Sequence, residues 1–266
     1  MVTITILADN RVAASSPRGL RGEWGFAALV GDVLFDTGYG GVVPENAARL
    51  GRPLDAEAVV LSHGHDDHTR GLDAALAHLD DPTVYCHPHV WRARYRAPED
   101  GGAHIGCPYT HAAVADRATI VEHTAPVEVA DGVHALGEIP RPHPDAAVGV
   151  VEADDGRRSD PVPDDQALAV ETDDGVAVVL GCGHAGLRNT VEYAESVTGG
   201  TVRTVVGGTH LVARDDAEIH ELVDWLDGRL DRFGAAHCTG STARRILAER
   251  LPGPFQSVGV GTEFEL

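Results

Sequence analysis

The run Leu61-Ser62-His63-Gly64-His65-Asp66-Asp67-His68 gathers three imidazoles and the Asp67 carboxylate within six residues. His63 and His65, two apart, can face one metal ion. Asp67 and His68, one turn further on, can face a second. Imidazole with carboxylate suits zinc first, with iron or manganese as alternatives. Such a loop cannot complete two coordination spheres alone, so further ligands must come from elsewhere in the chain. Three later histidines sit beside glycines just past apolar stretches: His184 in Gly181-Cys182-Gly183-His184, His210 in Gly207-Gly208-Thr209-His210, and His237 in His237-Cys238-Thr239-Gly240. Glycine lets the backbone bend close to an ion. His184, His210 and His237 are therefore the candidates to complete the site, and the Cys182 thiolate is an alternative ligand.

Asp36, in the tight turn Asp36-Thr37-Gly38, is expected behind the metal loop, accepting from loop backbone groups or orienting a histidine. Arg141 and Arg188 are candidates for an anionic substrate group. Asp164-Asp165-Gln166 is a candidate substrate clamp or a solvated loop. Asp67 and His210 are the candidate catalytic groups, Asp67 orienting an attacking water and His210 acting as acid or electrostatic stabiliser.

These residues need strands that end at a common edge. Ala58–Leu61 reads as the strand before the metal loop, and Val33–Phe35 as the strand before Asp36. Val2–Leu7, Gly25–Val30 and Thr83–Cys86 read as further strands. Ala167–Glu171 and Val176–Leu180 read as a hairpin across Asp173-Asp174-Gly175. Helices are expected over Pro44–Leu50, Arg70–Leu79, Arg188–Val197, Ala217–Leu230 and Thr242–Leu251. Strands are expected over Val202–Val206, Ala235–Cys238 and Phe255–Gly259. Residues 87–123 read as an irregular insertion or lid, and Asp154–Asp164 as a loop. Hairpins followed by strand–helix alternation predict an α/β protein of two mixed sheets packed face to face, with helices outside. At 266 residues, one domain spanning 1–266 is expected.

Composition narrows the setting. The net charge is −20, with 21 basic residues and no lysine among them. A surface of carboxylates and arginine suits a salt-rich, halophilic cytoplasm, where salt screens the repulsion. Nucleic-acid partners are disfavoured by that charge, and a small anionic substrate is expected. Met1–Leu7 lacks the basic start of a signal peptide, and no apolar run reaches the roughly 18–20 residues that span a bilayer. A cytoplasmic protein without a membrane segment is the expectation. Cys86, Cys107, Cys182 and Cys238 show no C-x-x-C spacing, so free thiols or ligands are expected rather than disulfides.

Asp36-Thr37-Gly38 followed by His63-Gly64-His65-Asp66-Asp67-His68 resembles the metallo-β-lactamase superfamily. Asp9-Asn10, Gly137–Arg141, Asp165–Leu168, Gly181–Gly186, Asn189–Glu192, His237–Gly240 and Gly259–Thr262 look like one subfamily of it. That subfamily contains the 7,8-dihydropterin-6-ylmethyl-4-(β-D-ribofuranosyl)aminobenzene 5′-phosphate synthases and hydrolase-like relatives. The resemblance implies an αββα sandwich with one or two divalent metals at one edge, held by His63, His65, Asp67, His68, His184 and His237. It implies either hydrolysis of an ester or phosphoester by a metal-activated water or a pterin-condensing synthase (transferase) reaction. A nuclease-like member of the fold and a catalytically silent metal-binding module are the rivals. The superfamily's bridging aspartate has no clear counterpart; Cys182 or His184 falls near its place. Trp24 stands where the subfamily tends to have His.

Overall fold

The structure is a computed structural model that describes residues 2–97, 102–144, 148–153 and 156–266. Pro98 and Gly101 of the irregular stretch, and Asp154 of the expected loop, lie outside the described residues. In chain order the first half runs β1 (Thr3–Ala8), β2 (Ala27–Val30), β3 (Val33–Phe35), α1 (Val42–Arg49), β4 (Ala58–Val60), α2 (Asp66–Thr69), α3 (Leu72–Leu76), β5 (Thr83–Cys86), β6 (Arg94–Tyr95), α4 (His111–Ala115) and β7 (Thr119–Glu122). Then follow β8 (Val127–Ala130), β9 (Val133–Ala135), β10 (Val150–Ala153), β11 (Gly156–Ser159), β12 (Ala167–Thr172), β13 (Gly175–Leu180), α5 (Leu187–Thr198), β14 (Val202–Gly208), α6 (Asp216–Leu226), β15 (Arg232–Ala236), α7 (Ser241–Arg250), β16 (Phe255–Ser257) and β17 (Glu263–Glu265).

One sheet has the order β17-β1-β2-β3-β4-β5-β7 and the other β16-β15-β14-β13-β12-β9-β8. Alternation along the strands sorts their side chains to two faces. Ala177 and Val179 of β13 point inward and meet Ile4, Ile6, Phe35 and Val60 of the first sheet in a shared buried layer. Val176, Val178 and Leu180 point outward, under Leu187, Val191 and Ala194 of α5 and Ile219 and Val223 of α6. On the far side of the first sheet, Leu7, Leu34 and Val59 pack with Val43 and Ala47 of α1 and Leu72 and Ala75 of α3. The result is the four-layer αββα sandwich that the sequence predicts.

β3, β4 and β5 run parallel, as do β13, β14 and β15. Each delivers the residues after its last one to the same end of the molecule, the place where parallel strands present ligands. Asp36 follows β3, His63 follows β4, Cys182 and His184 follow β13, His210 follows β14 and His237 follows β15.

Several expectations need correction. The helix expected over Arg70–Leu79 is only α3 (Leu72–Leu76), preceded by the separate short turn α2 (Asp66–Thr69). Between them Gly71 passes so close to Thr37 that a Cβ would fall 1.9 Å from its carbonyl oxygen, which breaks the helical path. Residues 156–159 of the expected Asp154–Asp164 loop form β11, paired with β10 in a three-stranded sheet completed by β6. β11 is exposed along its whole length, so its sequence lacks the apolar alternation that marks a strand. The 87–123 stretch is also more regular than expected, holding β6, α4 and β7, the last an edge strand of the first sheet. Among the described residues, no helix is long and apolar enough to cross a membrane.

Candidate metal centre

The histidine loop is held from behind. Asp36 is fully buried with φ at +58°, a left-handed conformation that a non-glycine residue adopts only when its surroundings demand it. Its Oδ1 accepts from the Ser62 backbone N–H at 2.7 Å, and its Oδ2 from Ser62 Oγ at 2.7 Å. Oδ2 also meets His68 Nδ1 at 2.7 Å, which leaves Nε2 as the nitrogen presented to the cavity. Ser62 Oγ lies 2.8 Å from His63 Nδ1 and orients that ring likewise. Gly181 crosses this network from the opposite sheet; a Cβ there would fall 2.2 Å from Ser62 Oγ and 2.6 Å from Asp36 Oδ2.

The loop has a second support. Gly64 N–H donates to Asp164 Oδ2 at 2.8 Å, and Asp164 Oδ1 accepts from Arg94 Nη2 at 2.5 Å. Arg94 Nε donates to Asp160 at 2.7 Å, and the three charged side chains are 1% exposed or less. Along the chain Arg94 alternates with Arg92 and Arg96 in a short basic run. Burial of Arg94 in an ion triad removes it from any surface groove.

The second sheet contributes from three strand ends. The His237 backbone N–H donates to Asp9 Oδ2 at 2.7 Å, and His237 Nδ1 lies 3.1 Å from Asn10 Oδ1. Like Asp36, His210 and His237 have positive φ, +51° and +43°. Asp165 accepts from the Ala185 N–H at 2.8 Å, and its Oδ1 stands 4.0 Å from His63 Nδ1. Asp165 is therefore part of the centre's buried wall rather than a solvated loop residue.

The imidazoles converge. His63 Nε2 and His65 Nδ1 lie 2.9 Å apart, a separation that serves a hydrogen bond or one edge of a coordination polyhedron. The His63 and His184 rings are 4.7 Å apart, those of His68 and His237 5.0 Å. Donor atoms of His63, Cys182 and His184 all lie within 4.8 Å of one another, and so do those of His68, Cys182 and His237. Cys182, expected only as an alternative, stands in both groups, where a residue shared by two ions would be. Asp67 reaches toward the second group, with Oδ1 3.8 Å from His68 Nε2 and Oδ2 3.4 Å from His237 Nε2. Trp24 Nε1 donates to the same Oδ2 at 2.9 Å.

Donor chemistry fits a metal. His65 Nε2, His68 Nε2, His237 Nε2 and both ring nitrogens of His184 are buried with no hydrogen-bond partner. An unsatisfied buried polar atom costs about 1–3 kcal/mol, so a cluster of them is what a cation-binding site would present. Burial pushes the His63 and His184 pKa values well down, and that of His65 to about 4, which keeps lone pairs free for a cation. Burial acts against a charge on His68 too, but Asp36 and Asp67 outweigh it and raise this ring to about 9. Burial would raise the Asp67 carboxyl, but His68 and His237 hold it well below the usual carboxylate range. Burial lifts Asp165 to about 6.

A cavity of about 520 Å³ opens beside these groups, walled by His65, Asp67, Cys182, His184, His210 and His237. Its mouth carries Trp24, Tyr39 and Val212, which are three of the four large apolar side chains left exposed among the described residues. Arg96, Ala97, Val148 and Gly149, on or beside the small β6–β10–β11 sheet, line the other side. Arg141 is not among these wall residues; its guanidinium donates to the carbonyls of Pro161 and Val162, both at 2.5 Å. Arg188 lies on the far side of His184, bonded to Glu192 at 2.9 Å in a smaller cavity. Sequence reasoning missed the parts played by Arg94, Ser62, Trp24 and Cys238. Asp9 and Asn10 stood out only as resemblance motifs, since an acid that supports a backbone N–H 228 positions away leaves no local pattern.

The sequence pattern of the Metallo-beta-lactamase superfamily matches residues 31–197. The chain is 25% identical, over 86% of its length and 82% of the relative's, to the 7,8-dihydropterin-6-methyl-4-(β-D-ribofuranosyl)-aminobenzene-5′-phosphate synthase of Methanocaldococcus jannaschii. It is 27% identical to an uncharacterized protein of the same archaeon, over 92% of this chain and 94% of that one. Among solved structures, Tm1679, a metal-dependent hydrolase of the beta-lactamase superfamily, superposes with a TM-score of 0.87 at 29% identity, covering 100% of this chain and 99% of that one. With that match over more than half its length, and with this sandwich and this histidine loop, the chain belongs to the Metallo-beta-lactamase superfamily.

Proposed function

We propose that the protein is a metal-dependent enzyme that hydrolyses a phosphoester, or a related ester, of a ring-bearing anionic substrate. The observation that carries this reading is the cluster of partnerless buried imidazoles, His65, His68, His184 and His237, beside one open cavity. His63, His65 and His184 would hold one ion, and Asp67, His68 and His237 a second, with Cys182 between them. Bound there, divalent ions lower the pKa of water toward about 7 and stabilise developing negative charge on oxygen. The chain's own groups supply the positioning. Asp36 and Ser62 fix the His68 and His63 rings. Asp67, ionised throughout the neutral range, orients the attacking water through Oδ1, while the Trp24 N–H fixes its Oδ2.

Substrate class follows from the mouth. Trp24 and Tyr39 offer exposed aromatic faces, and Arg96 offers a cation. A planar ring bearing a phosphate matches that combination. An open cavity beside the ligand set favours catalysis over a closed structural site, which argues against a silent module. A nuclease would need a basic groove, and Arg94, in the middle of the short arginine run, is buried in its ion triad instead. A second reading, the synthase reaction in which a pterin is joined to an aryl amine, draws on the named M. jannaschii relative. The same centre would then neutralise a departing diphosphate. We read residues 1–266 as one domain, with the small sheet beside the cavity as its insertion. The charge of −20 without lysine suits a salt-rich cytoplasm.

The test is elemental analysis of protein purified in high salt, followed by turnover of aryl phosphoesters and of a pterin-methyl diphosphate with an aryl amine. About two ions per chain and metal-dependent phosphoester cleavage, both lost in His63→Ala, are expected. Turnover surviving complete metal removal overturns the reading.

A further inference from the structure

Cys182 also belongs to a third donor group, whose other members, Cys238 and His210, neither histidine position uses. Its Sγ lies 3.0 Å from Cys238 Sγ and 3.4 Å from His210 Nδ1, and the three donor atoms lie within 4.8 Å of one another. Both cysteines are free and buried. We propose that Cys182, Cys238 and His210 form a further metal position, of two sulfurs and one nitrogen, for a thiophilic divalent ion such as zinc or cadmium.

The geometry needs little adjustment. Zinc sits about 2.3 Å from sulfur and about 2.0–2.1 Å from nitrogen, which gives tetrahedral edges of roughly 3.5–3.8 Å. The Cys182–His210 edge is already near that length, and the sulfurs must part by about 0.8 Å to reach it. The backbone is shaped around the two sulfurs. Gly208 passes so closely that a Cβ would fall 2.9 Å from Cys238 Sγ and 3.1 Å from the Cys182 Cα. His210 holds its positive φ at the end of β14, and its backbone N–H donates to Cys238 Sγ at 3.2 Å. His210, expected as an acid, is thereby reassigned to the ligand set. The position borders the main cavity, which both cysteines and His210 line, so an ion can enter from solvent.

The proposal depends on the functional reading above only through Cys182, and one titration separates them. Reduced, metal-free protein is titrated with cobalt(II) and with cadmium(II), following thiolate-to-metal charge-transfer absorbance. Two-thiolate intensity is expected in the unaltered protein, falling by about half in Cys238→Ser and in Cys182→Ser alike, and vanishing in the double variant. In His63→Ala the band should persist while turnover is lost. In His210→Ala, a solvent-reaching position with less folding risk, cadmium affinity should fall about tenfold. Wild-type intensity in Cys238→Ser, unchanged cadmium affinity in His210→Ala, or loss of the band in His63→Ala would each overturn the proposal. Loss of the band in His63→Ala would return the sulfur to the histidine position and leave the functional reading intact.

Discussion

Arg94 and His184 are almost equally buried, at 1% and 3% exposure, yet the molecule treats them in opposite ways. Arg94 is surrounded by Asp160 and Asp164, and all its nitrogens but Nη1 are paired. His184 has no partner at either ring nitrogen, nor do the facing nitrogens of His65, His68 and His237. Both clusters touch the same loop, the first through Gly64 and the second through His63 and His65. One is closed and holds the loop. The other is open and has the donors that could hold a cation. A buried charge signals function only after its partners have been counted.

That contrast can be broken from either side. The largest stability loss is expected in Asp164→Ala, which leaves the buried Arg94 with Asp160 alone and frees Gly64: about 3–5 kcal/mol, read by denaturant unfolding of the metal-free protein. An effect under 1 kcal/mol would show the triad to be dispensable. Chelation attacks the other cluster. Removing an ion present at about a thousandfold its Kd should cost about 4 kcal/mol of apparent stability, seen as a metal-dependent Tm. An unchanged Tm would deny that the imidazoles are holding a cation.

Asp165→Asn sharpens the comparison through pH. The folded pKa of Asp165, about 6, lies above its ordinary 3.8, so the metal-free fold keeps a proton that the unfolded chain has released. Stability should therefore fall as pH rises from about 4 to about 6, by up to about 3 kcal/mol, and stay lower above that. The Asn variant should lose this fall; an identical pH profile in variant and parent would refute it. The smallest effect is expected in Trp24→Phe, which removes one partly exposed hydrogen bond to Asp67. About 1 kcal/mol, or roughly a fivefold drop in kcat/KM, is expected with metal content intact. A drop in metal content instead would make Trp24 a support for the ion rather than for the reacting groups.

Much of the first sheet's contribution was legible because it is local. His63, His65, Asp67 and His68 fall in one loop, and their spacing alone predicts convergence on a metal. The hairpin β12–β13 and the helices α5, α6 and α7 were legible in position, although α6 begins from the Asp215 and Glu218 capping box and ends at Leu226, short of the expected Leu230. β11 was hidden because an exposed edge hairpin has no apolar alternation, and the long helix after His68 failed because Gly71 must clear Thr37. Arg94 looked like its neighbours Arg92 and Arg96, since pairing with residues 66 and 70 positions away leaves no trace in a local window.

The sequence by itself determined the residue types and the αββα class, because side-chain chemistry is intrinsic and alternation dictates which face of a strand is buried. Tertiary structure alone decided which distant strand ends share a cavity: Cys182 with Cys238, His68 with His237, Trp24 with Asp67. Those meetings depend on strand order and sheet packing, which put residues far apart in the chain a few ångströms from each other. Whether a buried imidazole is satisfied or waiting is likewise a property of its neighbours, and the fold supplies those.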